Sequence, residues 1–204
     1  GRCYKVSGGL HGVGASVVNA LSEWLEVTVH KDGVIHFIRF EKGGKAVDRL
    51  KKIGTCDDTG TTVTFKPDPE IFVECTTYNY ETIHTRLRQV AYLNKGITIE
   101  VSDARDPNNI IKDSFCYEGG IKQYVEFLNE NKTKIIEEVI YCEGSEALEK
   151  ASANTAHVYA EVAIQYNDGY SKAVYSFCNN VHTHEGGTHE EGFRMAITRV
   201  INAY

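Results

Sequence analysis

Four glycines fall within seven residues, Gly8-Gly9-Leu10-His11-Gly12-Val13-Gly14, directly ahead of a stretch with helical periodicity. No other feature constrains the chain as tightly. The first turn of a helix carries unpaired N–H groups and a partial positive charge. Glycines let the main chain approach an anion closely and take positive φ. Together they make a place suited to a chain of phosphates. Two familiar phosphate loops do not fit. The Walker A pattern finds Gly9, Gly14 and Ser16 at its spacing, but Ala15 stands where it requires lysine. The dinucleotide fingerprint reads G-x-G-x-x-G, whereas the order here is G-x-x-G-x-G, with no clear acidic partner about 20 residues on. On glycine count alone, a tight connecting loop explains the stretch equally well.

Periodicity supplies the rest of the layout. Val17, Val18, Leu21 and Leu25 predict a helix over residues 15–25. Val27 and Val29 alternate with polar residues, Asp32-Gly33 is a hairpin signal, and residues 34–40 return as a strand. Residues 60–65 form another strand, closed by Pro67 and Pro69. Ile83, Leu87, Val90 and Ala91 mark a helix over 80–93, with Arg86 and Arg88 on its solvated face. Ile97, Ile99 and Val101 alternate, residues 103–109 are turn-rich, and residues 110–117 return as the paired strand.

A second unit starts near Tyr117. Glu118-Gly119-Gly120 precedes a helix with Ile121, Tyr124, Val125 and Leu128 on one face. Residues 138–142 read as a short strand and the polar stretch 144–154 as a surface loop. Asn167-Asp168-Gly169 predicts a hairpin between 158–166 and 170–177. After a loop over 179–187, Thr188 is placed to cap a helix carrying Phe193, Ile197, Val200 and Ile201. The sum is an α+β layout of antiparallel hairpins with a few helices on one sheet face.

Composition excludes several classes. No apolar run approaches the length of a membrane span. A net charge of −6 argues against tight, sequence-independent duplex binding by this chain alone. Cys3, Cys56, Cys75, Cys116, Cys142 and Cys178 form no CxxC pair and no zinc spacing, and read as scattered reduced thiols. His182, His184 and His189 match no familiar zinc pattern, so no metal site is expected. The chain opens at Gly1 without an initiator Met, its sole Met being Met195, and both ends read as cut.

The string Tyr4-Lys5-Val6-Ser7-Gly8-Gly9-Leu10-His11-Gly12-Val13-Gly14, with Ser16-Val17-Val18-Asn19-Ala20-Leu21-Ser22 after it, resembles the phosphate-lid motif of the GHKL ATPases. The form is that of bacterial type II topoisomerases. Three further stretches are similar to that family in the same order. They are Gly60-Thr61 with its strand, Tyr117-Glu118-Gly119-Gly120-Ile121-Lys122, and Asn179-Asn180 with Glu185-Gly186-Gly187-Thr188-His189 and Gly192-Phe193-Arg194. Residues 117–122 and 124–131 resemble the negatively supercoiling enzyme more than topoisomerase IV.

The resemblance implies a partial Bergerat-type ATPase α/β sandwich over residues 1–116 and the start of a ribosomal-protein-S5-like transducer domain over 117–204. It implies ATP as ligand, with Mg²⁺ held by a residue outside this chain. Gly9, Leu10, His11, Gly12, Val13 and Gly14 would wrap the phosphates, Lys5 would add a cation, and Tyr4 and Thr61 would contact the adenine. It further implies a cytoplasmic enzyme with no membrane association. Its ATPase subunits would dimerise on ATP, join the DNA-cleaving A protein in an A2B2 heterotetramer, and act on duplex DNA. The resemblance places His184 where relatives can carry arginine, and histidine is mostly neutral at pH 7, which argues against a cationic role there. The family's general-base glutamate, its Mg²⁺-holding asparagine, its adenine-binding D-x-G-x-G and its γ-phosphate lysine have no counterpart in this chain. Hydrolysis by the chain alone is therefore not expected. Two rivals stand beside this reading: another GHKL enzyme of the histidine kinase, Hsp90 or MutL type, and a non-catalytic binding module on the same fold.

Overall fold

The structure is a computed structural model and describes residues 11–75, 77–148, 156–170 and 173–204. The chain divides into two compact units, Gly1–Tyr78 and Asn79–Tyr204.

In the first unit a short helix, α1 (Gly14–Ala20), leads into β1 (Ser22–Lys31). β2 (Val34–Glu41), β3 (Lys45–Ala46), β4 (Lys51–Thr55) and β5 (Gly60–Pro67) complete an antiparallel sheet. β1 lies at its heart, bonded to β2 on one side and β5 on the other, while β3 and β4 share the far edge of β2. The β1–β2 turn falls on Asp32 (φ 53°) and Gly33 (φ 78°), as the residue pair predicts, because both positions of that tight turn need positive φ.

The predicted helix over 15–25 stops at Ala20. The Ser22 hydroxyl donates to the Val18 carbonyl at 2.6 Å, Ser22 pairs with β5, and from Trp24 onward the backbone is paired with strands on both sides. That double ladder fixes Leu25 as a buried strand residue, 5% exposed. Its spacing from Leu21 fits either period, and tertiary pairing decides. β3 and β4 carry no strong apolar alternation, and periodicity does not reveal them. Lys45, Lys51 and Lys52 on these edge strands suit an edge that discourages further pairing.

In the second unit α2 (Tyr80–Leu93) has the predicted bounds, and Asn79 caps it by accepting the Thr82 N–H at 2.9 Å. β6 (Ile99–Asp103) pairs with β7 (Ile111–Phe115), and α3 (Gly120–Leu128) follows. The core gathers here: Ala91, Tyr92 and Phe115 are buried, and Tyr92 stacks on Tyr117 with ring centroids 3.6 Å apart. Arg88 does not lie on a solvated face. Its guanidinium sits 5.2 Å from the Phe115 ring centroid and 5.4 Å from that of Phe127, held by attraction to their π-faces.

The remaining elements correct three expectations. β8 (Ile140–Leu148) runs on into the stretch read as a surface loop and pairs along its whole length with β9 (Ala156–Ile164). β9 therefore takes β8 as partner, not residues 170–177. Asn167-Asp168-Gly169 serves another contact: the Asn167 amide donates to Asn129 Oδ1 at 2.9 Å, and Asp168 N–H donates to the Thr133 carbonyl at 3.0 Å. The turn chemistry is thus spent on residues 129–134. β10 (Phe177–Cys178) and β11 (Val181–His182) form a small hairpin around Asn179 (φ 48°) and Asn180 (φ 64°). α4 (Thr188–Ala203) begins with Thr188 as its first helical residue; Gly187 is the cap. No helix of the described residues is long and apolar enough to cross a membrane.

Candidate functional site

The glycine loop is described from His11 onward; Tyr4, Lys5, Gly9 and Leu10 lie outside the described residues. Gly12 has φ +65°, a conformation that side-chain-bearing residues rarely adopt. Among the described residues, a Cβ built at Gly12 or Gly14 would meet no atom within 4 Å. Gly14 is not in the loop but is the first residue of α1, and Val13 is the cap. The first helical bond runs from Val17 N–H to the Val13 carbonyl at 2.9 Å. The amides of Gly14, Ala15 and Ser16 consequently have no carbonyl one turn behind them. Among the described residues no side chain caps this end, and no acidic residue occupies the first turn. Among the described residues, donors, partial positive charge and open space coincide, the combination that an anion satisfies.

The far end of α1 is held firmly. Leu21 N–H donates to the Val17 carbonyl at 3.0 Å, and Asp68 N–H donates to the Leu21 carbonyl at 3.1 Å. The turn at Lys42, Gly43 and Gly44 lies against the same end: a Cβ on Gly44 would stand 3.1 Å from Asn19 Nδ2. Thr61 is exposed on β5, opposite Val29 of β1, the strand that continues from α1. Loop and threonine are therefore carried on directly connected elements of one unit.

In the second unit, the motif around Asn179–Arg194 is occupied by internal bonding. Asn180 donates its amide to Asn94 Oδ1 at 2.9 Å, and Arg86 donates to the Asn180 carbonyl at 3.0 Å. Glu190 accepts from the Ser176 hydroxyl at 2.7 Å and from Arg194 Nε at 2.9 Å. These donors hold its carboxyl below the ordinary glutamate range. His182 and His184 have ring centroids 3.8 Å apart. Burial, then the neighbouring His184 and Arg86, push the His182 pKa down, so His182 adds little positive charge. Both rings, with Arg86 and Gln89, line an open groove of about 720 Å³.

Residue types and spacing do not single out Lys95. Its ammonium bonds Glu161 at 2.8 Å and the Tyr141 hydroxyl at 3.0 Å, tying the β8–β9 hairpin to the end of α2. Its aliphatic stem passes over Gly120, whose φ is +59° and whose added Cβ would lie 2.7 Å from Lys95 Cγ. The only local signal is the Gly119-Gly120 pair itself.

Over all 204 residues the chain is 53% identical to the DNA gyrase B protein of Staphylococcus aureus. A DNA gyrase B family model matches residues 120–204. The chain belongs to the DNA gyrase B family. It is 54% identical over the same 204 residues to the DNA gyrase B protein of Bacillus mycoides. The chain spans 30% of the S. aureus relative and 48% of the B. mycoides one. Among solved structures, it resembles the 43K ATPase domain of Thermus thermophilus gyrase B, crystallised with an aminocoumarin. The TM-score is 0.74 and the identity 34%, covering 95% of this chain and 50% of that one. The mixed α/β sandwich implied by the glycine-loop resemblance is thus the fold of a gyrase B ATPase domain.

Proposed function

We propose that this chain is part of the ATPase component of a DNA gyrase. The whole protein would bind and hydrolyse ATP to pass duplex DNA through a double-strand break and introduce negative supercoils. The open first turn of α1, behind Gly12-Val13-Gly14, carries the proposal; the family membership supports it. In this reading Gly9, Leu10, His11, Gly12, Val13 and Gly14 surround the phosphates and the first-turn amides donate to them. Lys5 adds charge, and Tyr4 and Thr61 contact the adenine. ATP supplies the γ-phosphate whose binding and cleavage drive the cycle. This chain orients the phosphate tail and excludes water from one side of it. In this reading the Mg²⁺ ligand and the general base belong to parts of the protein outside this chain. The chain alone is expected to show no ATP turnover.

The proposed partners are the DNA gyrase A protein, in an A2B2 heterotetramer, and a second gyrase B protein recruited on ATP binding, in the cytoplasm. We place the transducer domain at 117–204, with 1–116 belonging to the ATPase domain. The family match beginning at residue 120 supports that boundary. The stacking of Tyr92 on Tyr117 explains why α2, β6 and β7 nonetheless pack with α3.

The test is the paired substitution Gly12→Val and Gly14→Val in the full-length protein, titrated with a non-hydrolysable ATP analogue and Mg²⁺. Valine cannot easily take φ +65° and fills the space before the amides. Affinity is expected to fall at least about 100-fold, roughly 2.7 kcal/mol, with supercoiling lost in parallel. Unchanged affinity in a variant that still melts cooperatively would refute the assignment.

A further inference from the structure

We propose that His30, Cys56 and Asp58 form a binding site for a borderline divalent cation of the zinc class. The site is separate from the glycine loop and does not depend on the nucleotide reading. One ligand atom from each of the three residues can be chosen so that all lie within 4.8 Å of one another. His30 Nδ1 and Asp58 Oδ1 are already 2.7 Å apart.

The fold, not local spacing, brings them together. His30 is next to last in β1 and sits opposite Gly60 of β5. Cys56 follows β4 directly, and its N–H donates to the Gly33 carbonyl at 3.2 Å, which pins it to the β1–β2 turn. Asp58 lies between β4 and β5 on an exposed loop. A Cβ added to the facing Gly60 would meet nothing within 4 Å, which leaves room for water ligands.

The donor set selects the ion. A thiolate, an imidazole and a carboxylate suit Zn²⁺ at bond lengths of about 2.0–2.3 Å, placing ligand atoms roughly 3.3–3.8 Å apart in a tetrahedron. From a mutual separation of at most 4.8 Å, side-chain rotation would have to bring the three atoms into that range. Mg²⁺ and Ca²⁺ require shells of oxygen and do not compete for sulfur. On binding, the Cys56 thiol proton leaves to solvent, the His30–Asp58 hydrogen bond opens, and three coordinate bonds form. Water fills the fourth position. The ion would clip the β1–β2 turn to the β4–β5 loop.

Cysteine alkylation in the full-length protein, read residue by residue by mass spectrometry with Zn²⁺ or with EDTA, tests the site. Zn²⁺ should slow labelling of Cys56 at least about tenfold, since a metal-bound thiolate is masked, and leave the exposed Cys75 unchanged. Mg²⁺ should protect neither. Asp58→Ala, on an exposed loop where misfolding is not expected, should abolish most of the protection, as should His30→Ala. Co²⁺ should give visible d–d bands and a thiolate charge-transfer band that vanish in Cys56→Ser. Equal labelling with and without Zn²⁺, or protection that survives both Asp58→Ala and His30→Ala, would overturn the proposal.

Discussion

Two glycine pairs open two helices of this chain, and they are physical opposites. Ahead of α1, Gly12 and Gly14 meet no atom of the described residues, and no described residue caps the first-turn amides with its side chain. Ahead of α3, Gly119 and Gly120 are crowded. The Gly119 N–H donates to Gln123 Oε1 at 3.3 Å, and the stem of Lys95 covers Gly120. Both Gly12 and Gly120 need positive φ. Glycine at a helix start is therefore not itself a sign of a ligand. What surrounds the missing side chain separates a site held open from a contact already filled.

Three experiments press on that contrast. The largest effect belongs to the filled position. Gly120→Ala should destabilise the folded protein by about 2–3 kcal/mol, combining disfavoured φ with a clash against Lys95. Denaturant unfolding measures it, and nucleotide affinity per folded molecule should not move. Adding Lys95→Ala should recover the steric part and leave roughly 1 kcal/mol of backbone cost. A penalty indifferent to Lys95 would break the distinction.

At the open position, Gly12→Ala should cost stability only about 1 kcal/mol, all of it from φ. It should weaken ATP-analogue binding about tenfold, seen by titration calorimetry. A stability loss as large as that of Gly120→Ala would mean that the α1 loop is packed after all.

The smallest effect concerns pH. Glu161 raises the Lys95 pKa above its ordinary value, with Glu143 and the Tyr159 hydroxyl adding to the field. A raised lysine pKa stabilises fully below the unfolded value of about 10.4 and fades only as pH rises through the folded value. The Gly120→Ala penalty should accordingly stay flat between about pH 6 and 9. A penalty that shrinks near neutrality would show that the Lys95–Glu161 pair does not hold the stem in place.

The elements legible in the sequence are those that one local rule governs. α2 has its own stripe and an asparagine cap, and Asp32-Gly33 dictates its turn. Elsewhere distant partners decide. Leu25 fits two periods, and only the flanking strands choose between them. Asn167-Asp168-Gly169 has hairpin chemistry, but Asn129 and Thr133 claim its groups. At the candidate site, the loop was legible because its residues are contiguous. The closeness of His30 to Cys56 was not, because 26 positions separate them in the chain.

The junction at Leu21 and Ser22 restricts how this protein can change in length. A single residue links α1 to β1, and β1 is bonded on both sides. Because strand side chains alternate faces, one residue inserted or deleted in β1 ahead of Leu25 would turn the following side chains over and dislodge Leu25 from the interior. Natural insertions and engineered tags should be tolerated in the exposed stretch between β3 and β4, and rejected anywhere from the loop to the end of β1.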